Sequence, residues 1–130
     1  MILMVDLSSD VPIYQQLRDR VVEAIATGAL REGSALPATR ALASDFGINF
    51  HTVNKAYELL RQEGLIRLNR KSGAIVTATP ADLAARSAWE ARLRTLLAEA
   101  VAKGMTESEI EGVSRSVLES FHIRPSEDAP

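Results

Sequence analysis

The stretch from Leu36 to Val76 constrains the fold most, because its pattern predicts a helix, a tight turn, a second helix and a hairpin in succession. In the second helix, from Asn49 to Glu63, apolar residues recur at i, i+3, i+4 and i+7, which predicts one buried face. These residues are Val53, Ala56, Tyr57 and Leu60, and the opposite face carries His51, Thr52, Asn54, Lys55, Glu58 and Arg61. A helix with one buried and one polar face is suited to reading the major groove of DNA.

The segment Gly47-Ile48-Asn49 predicts the connection between the two helices. It offers a glycine for a left-handed bend, an apolar residue for the core and an N-cap, as a helix-turn-helix requires. The preceding helix starts at Pro37. A further helix is predicted upstream from Val11 to Thr27, on an apolar stripe that consists of Ile13, Leu17, Val21, Ala24, Ile25 and Leu30.

Two short strands, Leu65 to Leu68 and Ala74 to Thr77, predict a hairpin directly after the helix-turn-helix. Such an appended hairpin is a wing. Basic residues lie on or near its loop, namely Arg67, Arg70 and Lys71, and Gly73 closes the loop. A contact to the DNA backbone or minor groove is the natural use of this charge, and a solvated turn is the alternative.

The composition changes at residues 78–80, after which Ala, Leu, Arg and Glu dominate. Two helices are predicted there, the first ending at Gly104 and the second starting with a capping box at Thr106 to Glu109. The fold class is therefore mainly α with a small β-hairpin. A winged helix-turn-helix domain (1–78) precedes a two-helix C-terminal segment for dimerisation or effector binding (79–123) and a disordered tail (124–130).

Two helices cannot form a core alone, so the C-terminal segment must pack on the first domain or on another chain. Dimerisation is favoured because helix-turn-helix proteins commonly bind two-fold sites. The candidate interface residues are Trp89, Leu93, Leu96, Leu97, Val113, Val117 and Phe121. Trp89 is a candidate anchor, and its packing within its own chain is the alternative.

Composition and charge narrow the classes of function. The 130 residues carry a net charge of −2 and contain no cysteine, which excludes disulfides, a thiol nucleophile and cysteine zinc sites. Positive charge is concentrated from Arg40 to Lys71, with six basic and three acidic residues. No catalytic motif is present, so neither an enzyme nor a cofactor or metal is expected. No apolar run is long enough for a membrane span or signal peptide, so a cytoplasmic location is expected.

Each candidate DNA contact has a simpler alternative. Arg40 is suited to a phosphate or a guanine edge, or else to an ion pair with Asp45 or Glu63. Asn49 is suited to phosphate, to capping or to both, and Phe50 either touches a thymine methyl or packs on the core. The remaining candidates are Thr52 for phosphate, Asn54 for adenine, Lys55 for phosphate and His51 for base or phosphate; solvated roles are the alternatives for Asn54 and Lys55.

These residues carry a family resemblance across positions 10–78. The runs Pro12-Ile13-Tyr14-Gln15-Gln16-Leu17, residues 33–40 (Gly-Ser-Ala-Leu-Pro-Ala-Thr-Arg), Gly47-Ile48-Asn49, Ala56-Tyr57 and Glu63-Gly64-Leu65-Ile66 resemble the GntR family of bacterial transcription regulators. The short two-helix remainder and the run Asn54-Lys55-Ala56-Tyr57 resemble its YtrA-type branch.

The resemblance implies a dimeric regulator, in the first instance a repressor of a nearby operon, often one for a transporter, that binds a palindromic operator. It assigns DNA contact to Arg40, to reading-helix positions 49–52 and 54, and to Arg70 and Lys71 at the wing tip. Ala38, Phe50, His51 and Lys71 depart from the usual family residues, which affects the expected operator sequence. A small-molecule effector is left open, at the dimer seam or between the domains. The competing interpretation is a winged helix used only for protein–protein contact.

Overall fold

A computed structural model describes residues 4–70, 73–77 and 79–121. Over these residues the chain is mainly helical with one antiparallel hairpin, as the fold class predicted. The elements in chain order are α1 (Ile13–Ala26), α2 (Thr39–Phe46), α3 (Phe50–Gln62), β1 (Ile66–Asn69), β2 (Gly73–Val76), α4 (Leu83–Ala102) and α5 (Glu107–Glu119). The ends of α1 to α3 and of both strands lie within two residues of their predicted positions. The predicted tail, 124–130, lies outside the described residues.

The chain divides into two compact units, an N-terminal unit (Met1–Thr79) and a C-terminal unit (Pro80–Pro130). The hydrophobic core lies in the N-terminal unit, where α1 and α2 pack against α3 and the hairpin packs beside it. Apolar residues from every one of these elements are buried, which removes their side chains from water and stabilises the arrangement. The buried set is Leu17, Val21, Leu30, Leu36, Leu42, Ala43, Val53, Ala56, Tyr57, Leu60, Ile66, Ala74 and Val76.

The helix ends show why the helix-turn-helix bends where it does. Gly47 ends α2 with φ 63°, a left-handed conformation that glycine adopts without steric cost. At the other end of α2 the N-cap position is Ala38, and no side chain caps the helix. The N-cap of α1 is Pro12, whose carbonyl oxygen accepts from the backbone N–H of Gln15 and of Gln16.

The hairpin is attached to the body of the N-terminal unit by its backbone. Within it, Ile66 is opposite Val76 and Asn69 is opposite Gly73. The segment Gly33–Leu36, which precedes α2, lies along the outer side of β2. Its hydrogen bonds run from Gly33 N to Val76 O (2.9 Å), from Val76 N to Ser34 O (2.9 Å) and from Leu36 N to Ala74 O (2.8 Å). The pattern of residues 33–36 did not predict this third, short row.

The C-terminal unit consists of two capped helices. The Asp82 carboxylate accepts from Ala85 N (2.8 Å) at the start of α4. At the start of α5, Thr106 and Glu109 form the reciprocal capping box that their spacing predicted. None of the side chains on α4 or α5 is buried. Over the described residues, neither these helices nor the other three combine the length and apolar character needed to cross a bilayer.

Candidate nucleic-acid interface

The two faces of α3 differ as its periodicity predicts. Val53, Ala56 and Leu60 have no exposed surface and Tyr57 is 3% exposed, so one side of the helix is fully within the core. His51 and Lys55 are exposed, and Thr52 and Asn54 are half-buried. The core therefore fixes the rotation of α3 about its axis, which leaves these polar side chains on the accessible side.

Two polar contacts fix α3 to its neighbours. The Tyr57 hydroxyl donates to the carbonyl oxygen of Pro37 at 2.7 Å, and burial raises the pKa of this phenol to about 12. Near the C-terminal end, Glu63 accepts two hydrogen bonds from the Arg18 guanidinium of α1, one of them from Nε at 3.0 Å. This pairing raises the pKa of the Arg18 guanidinium above its ordinary value. The middle of α3 is therefore held to the segment before α2, and its C-terminal end is held to α1.

Asn49 occupies the capping position that its sequence context predicts. Its Oδ1 accepts from the backbone N–H of His51 at 2.7 Å, in the first turn of α3. The side-chain amide N–H₂ group is not engaged in that bond and Asn49 is exposed. The two functions left open for this residue, capping and contact to an external acceptor, are therefore compatible in this geometry.

Arg40 stacks on the aromatic ring at the start of α3. Its Cζ lies 4.4 Å from the centroid of the Phe50 ring, and the His51 ring follows at 5.2 Å with an interplanar angle of 57°. Phe50 itself is half-buried and packs against the core. The ion pair with Asp45 or Glu63 that was an alternative for Arg40 is not formed, and Glu63 pairs with Arg18 instead.

The other cations of α3 have partners within the chain. The Nζ atom of Lys55 lies 4.0 Å from the centroid of the Tyr14 ring on α1. Arg61 pairs with Glu58 one turn earlier, through Nε at 3.0 Å, and this pairing lowers the pKa of the Glu58 carboxyl. Tyr14 was not among the predicted site residues. No local pattern points to it, because it is distant from Lys55 in sequence and meets it only through the packing of α1 on α3.

The wing places basic residues in solvent. Arg67 and Arg70 are exposed, and over the described residues neither guanidinium pairs with a carboxylate. Gly73 starts β2 with φ 72°, a conformation that closes the loop and favours glycine. Lys71, the other predicted wing contact, lies outside the described residues. A shallow cleft of about 350 Å³ separates the wing from the start of α2, and Thr39, Leu68 and Arg70 are among the residues that line it.

These groups can recognise an anion or a nucleobase edge through charge and hydrogen bonds. Arg40, the free amide of Asn49, Asn54 and Arg70 supply donors, and the uncapped start of α2 leaves backbone N–H groups free to bind an anion. Over the part of the chain that the structure describes, no three His, Cys, Asp or Glu side chains gather closely enough to hold a metal ion.

The predicted interface residues of the C-terminal unit are accessible in the single chain. Trp89 is 56% exposed in the single chain. Leu96, Leu97, Val113 and Val117 are also exposed, and Leu93 and Phe121 are half-buried. An open, mainly apolar groove of about 320 Å³ lies between α4 and α5.

Comparison with known proteins identifies bacterial transcription regulators as relatives of this chain. The model for "Bacterial regulatory proteins, gntR family" matches residues 13–76. The HTH-type transcriptional regulator Rv1152 of Mycobacterium tuberculosis is 31% identical over 82% of this chain and 86% of its own length. The HTH-type transcriptional repressor YtrA of Bacillus subtilis is 35% identical over 58% of this chain and 58% of its own length. Of several other curated relatives the chain spans only 14 to 32% of the length.

Solved structures that resemble this chain include a transcription factor and a DNA-binding domain. YtrA from Sulfolobus acidocaldarius, a GntR-family transcription factor, is 38% identical, with a TM-score of 0.64 over 78% of this chain and 99% of that chain. The DNA-binding domain of AraR in complex with operator ORX1 is 26% identical, with a TM-score of 0.51 over 58% of this chain and 93% of that chain. Proteins of this family are transcription regulators and not enzymes. The chain belongs to the GntR family, as a YtrA-like member.

Proposed function

We propose that this chain represses transcription as a homodimer that binds a palindromic DNA operator. In each copy, α3 enters a major groove and the wing reaches the adjacent backbone or minor groove. The observation that carries this proposal is the division of α3 into a fully buried face and an accessible face. The accessible face presents His51, Asn54 and Lys55 beside Arg40, which has no carboxylate partner over the described residues.

The relatives support DNA as the partner. The AraR domain was solved on an operator duplex, and the Bacillus subtilis YtrA is named a repressor. The wing of this chain adds two exposed guanidiniums, those of Arg67 and Arg70, where a phosphate backbone would pass. A winged helix used only for protein contact would have no need of unpaired cations at both places.

The homodimer is supported by the C-terminal unit. Its large apolar side chains remain accessible in the single chain, Trp89 among them. Helices without fully buried side chains gain little hydrophobic stabilisation by themselves, so a second copy that covers these side chains would supply the missing core. We place the half-sites about one helical turn apart, and any small-molecule effector at the seam between the two copies.

A selection experiment tests this function without assuming an operator sequence. Purified protein is incubated with a random-sequence duplex library, and bound duplexes are recovered, sequenced and measured by fluorescence anisotropy. We expect an inverted repeat, with affinity that falls steeply as salt rises. The charge reversal R70E should abolish binding at moderate salt. Recovery of no enriched sequence, or undiminished binding by R70E, would contradict the proposal.

A further inference from the structure

We infer that Phe50 is a positioning residue, which holds the guanidinium of Arg40 in a fixed orientation for DNA while leaving its hydrogen-bond donors free. The inference rests on the proposed function. Its basis is the stack at the start of α3, in which the Arg40 Cζ lies 4.4 Å from the centroid of the Phe50 ring.

The geometry of this contact explains how Phe50 can orient the Arg40 guanidinium without occupying its N–H donors. A guanidinium whose Cζ lies over a ring is attracted by the π-face of that ring, which cannot occupy all five of its N–H donors. A carboxylate partner would instead occupy those N–H groups, as it does for Arg18 and Arg61. Arg40 is thus held in place by a ring, and its guanidinium N–H groups remain available to bind DNA.

The support beneath the stack is rigid. Phe50 is half-buried and packs against the hydrophobic core, so its ring is not free to rotate away. The tilted ring of His51 lies 5.2 Å from it on α3. An arginine in free solution loses side-chain freedom on binding, and a side chain that is already held in its bound orientation loses less. Phe50 should therefore increase affinity through Arg40, without touching the duplex itself.

A double-mutant cycle tests this coupling on the duplex recovered by selection with the wild-type protein. F50L fills a similar volume without a ring face, and we expect it to weaken binding about three- to ten-fold. In the R40A background the same change should alter affinity less than about 1.5-fold, because the residue through which Phe50 acts is gone. Equal losses in both backgrounds would overturn the inference and would mean that Phe50 contacts DNA directly or only supports the fold.

Ring-bearing and ring-free variants separate positioning from packing. F50Y and F50W keep an aromatic face and should bind nearly as the wild type does, whereas F50M should behave as F50L. Thermal unfolding identifies any variant that fails to fold, and the remaining pairs still decide the matter. If affinity followed thermal stability and not the presence of a ring, Phe50 would be structural only and the inference would be wrong.

A measurement on the free protein separates this inference from the proposed function. A ring beneath the guanidinium should shift the Arg40 Nε–H proton resonance upfield in an NMR spectrum, and F50L should remove the shift. An Arg40 resonance at an ordinary position in the wild type would overturn the inference whether or not the protein binds DNA. If the Arg40 resonance is shifted but selection recovers no enriched duplex, the contact between Arg40 and Phe50 is supported and the proposed function is contradicted.

Discussion

The hydroxyl of Tyr57 donates to the carbonyl oxygen of Pro37 at 2.7 Å, and this bond joins the middle of α3 to the residue two before α2. The bond crosses the helix-turn-helix where the packing of α2 on α3 is mainly apolar. Because the Tyr57 ring is buried, its hydroxyl is held close to this carbonyl oxygen, and the bond helps to fix the segment before α2 against α3.

Replacing Tyr57 by Phe should lower the free energy of unfolding by about 0.5–1.5 kcal/mol at pH 7, the usual net value of one hydrogen bond. It should also remove a pH dependence. Burial raises the pKa of Tyr57 to about 12 from 10, so the folded state binds the proton more tightly than the unfolded state does. The resulting stabilisation is complete below pH 10 and is lost as pH rises from 10 to 12.

Urea unfolding at pH 7 and at several values between about pH 9.5 and 12 measures both effects. Y14F is the matched control, because it removes a tyrosine hydroxyl from α1 without touching the Pro37 bond. The difference between wild type and Y57F should shrink as pH rises through this window. A difference that stays constant with pH would show that the phenol is not the titrating group.

Replacing Asn49 should separate its capping function from any contact with DNA. N49A removes the acceptor for the His51 N–H and should cost about 1 kcal/mol of stability, whereas N49S keeps a capping oxygen and should cost little. Only the amide supplies N–H₂ donors, so N49S should still weaken binding to the selected duplex if Asn49 contacts DNA. Chemical unfolding and anisotropy on the same samples give both numbers; wild-type affinity in N49S would restrict Asn49 to capping.

Replacing Arg70 by Ala should weaken DNA binding equally for matched and mismatched duplexes. An exposed guanidinium that contacts a phosphate contributes charge but no sequence information. The slope of log affinity against log salt should fall in magnitude by about 0.9 for each phosphate that the variant no longer neutralises. R31A, which removes an exposed arginine in the turn after α1, serves as the charge-matched control. An effect confined to the matched duplex would instead indicate that Arg70 reads a base edge.

Replacing Leu97 by Glu should dissociate the dimer. The side chain lies on the apolar face of α4 with Leu93, and a carboxylate there would be buried without a partner when a second copy covers it. Sedimentation should change from dimer to monomer. Trp89, the single tryptophan, should report the same event by a red shift of its fluorescence, as its indole returns to water. T95E, on the opposite face of α4, is the control; a wild type that sediments as a monomer at micromolar concentration contradicts the dimer.

The sequence predicted those features that depend on local pattern. The i, i+3, i+4, i+7 spacing identified the buried side of α3 because a helix of this period has only one way to bury those four residues. Gly47 and the Thr106 to Glu109 capping box were predictable for the same reason, since each acts within a few residues of itself.

Contacts between distant residues could not be predicted in this way. Arg40 on Phe50, Lys55 on Tyr14 and Arg18 with Glu63 join different elements, and each depends on the packing of those elements and on side-chain rotamers. For Arg40 the sequence predicted a contact with DNA, or else an ion pair with Asp45 or Glu63, and no local pattern indicates an aromatic partner. The row from Gly33 to Leu36 was missed because its residues do not alternate between apolar and polar.

The segment Gly33–Leu36 links the wing to the start of α2, and this link affects how the two elements would contact a duplex. Gly33–Leu36 is hydrogen-bonded to β2 and continues through Pro37 into α2, so the hairpin and the first turn of α2 share one backbone support. These main-chain bonds therefore limit how far the backbone of the wing can move relative to the start of α2. A duplex that contacts both elements, as proposed above, would have to match this spacing in its groove width, at an energy that depends on its stiffness. Base pairs that no side chain reaches should therefore still influence which operators are preferred.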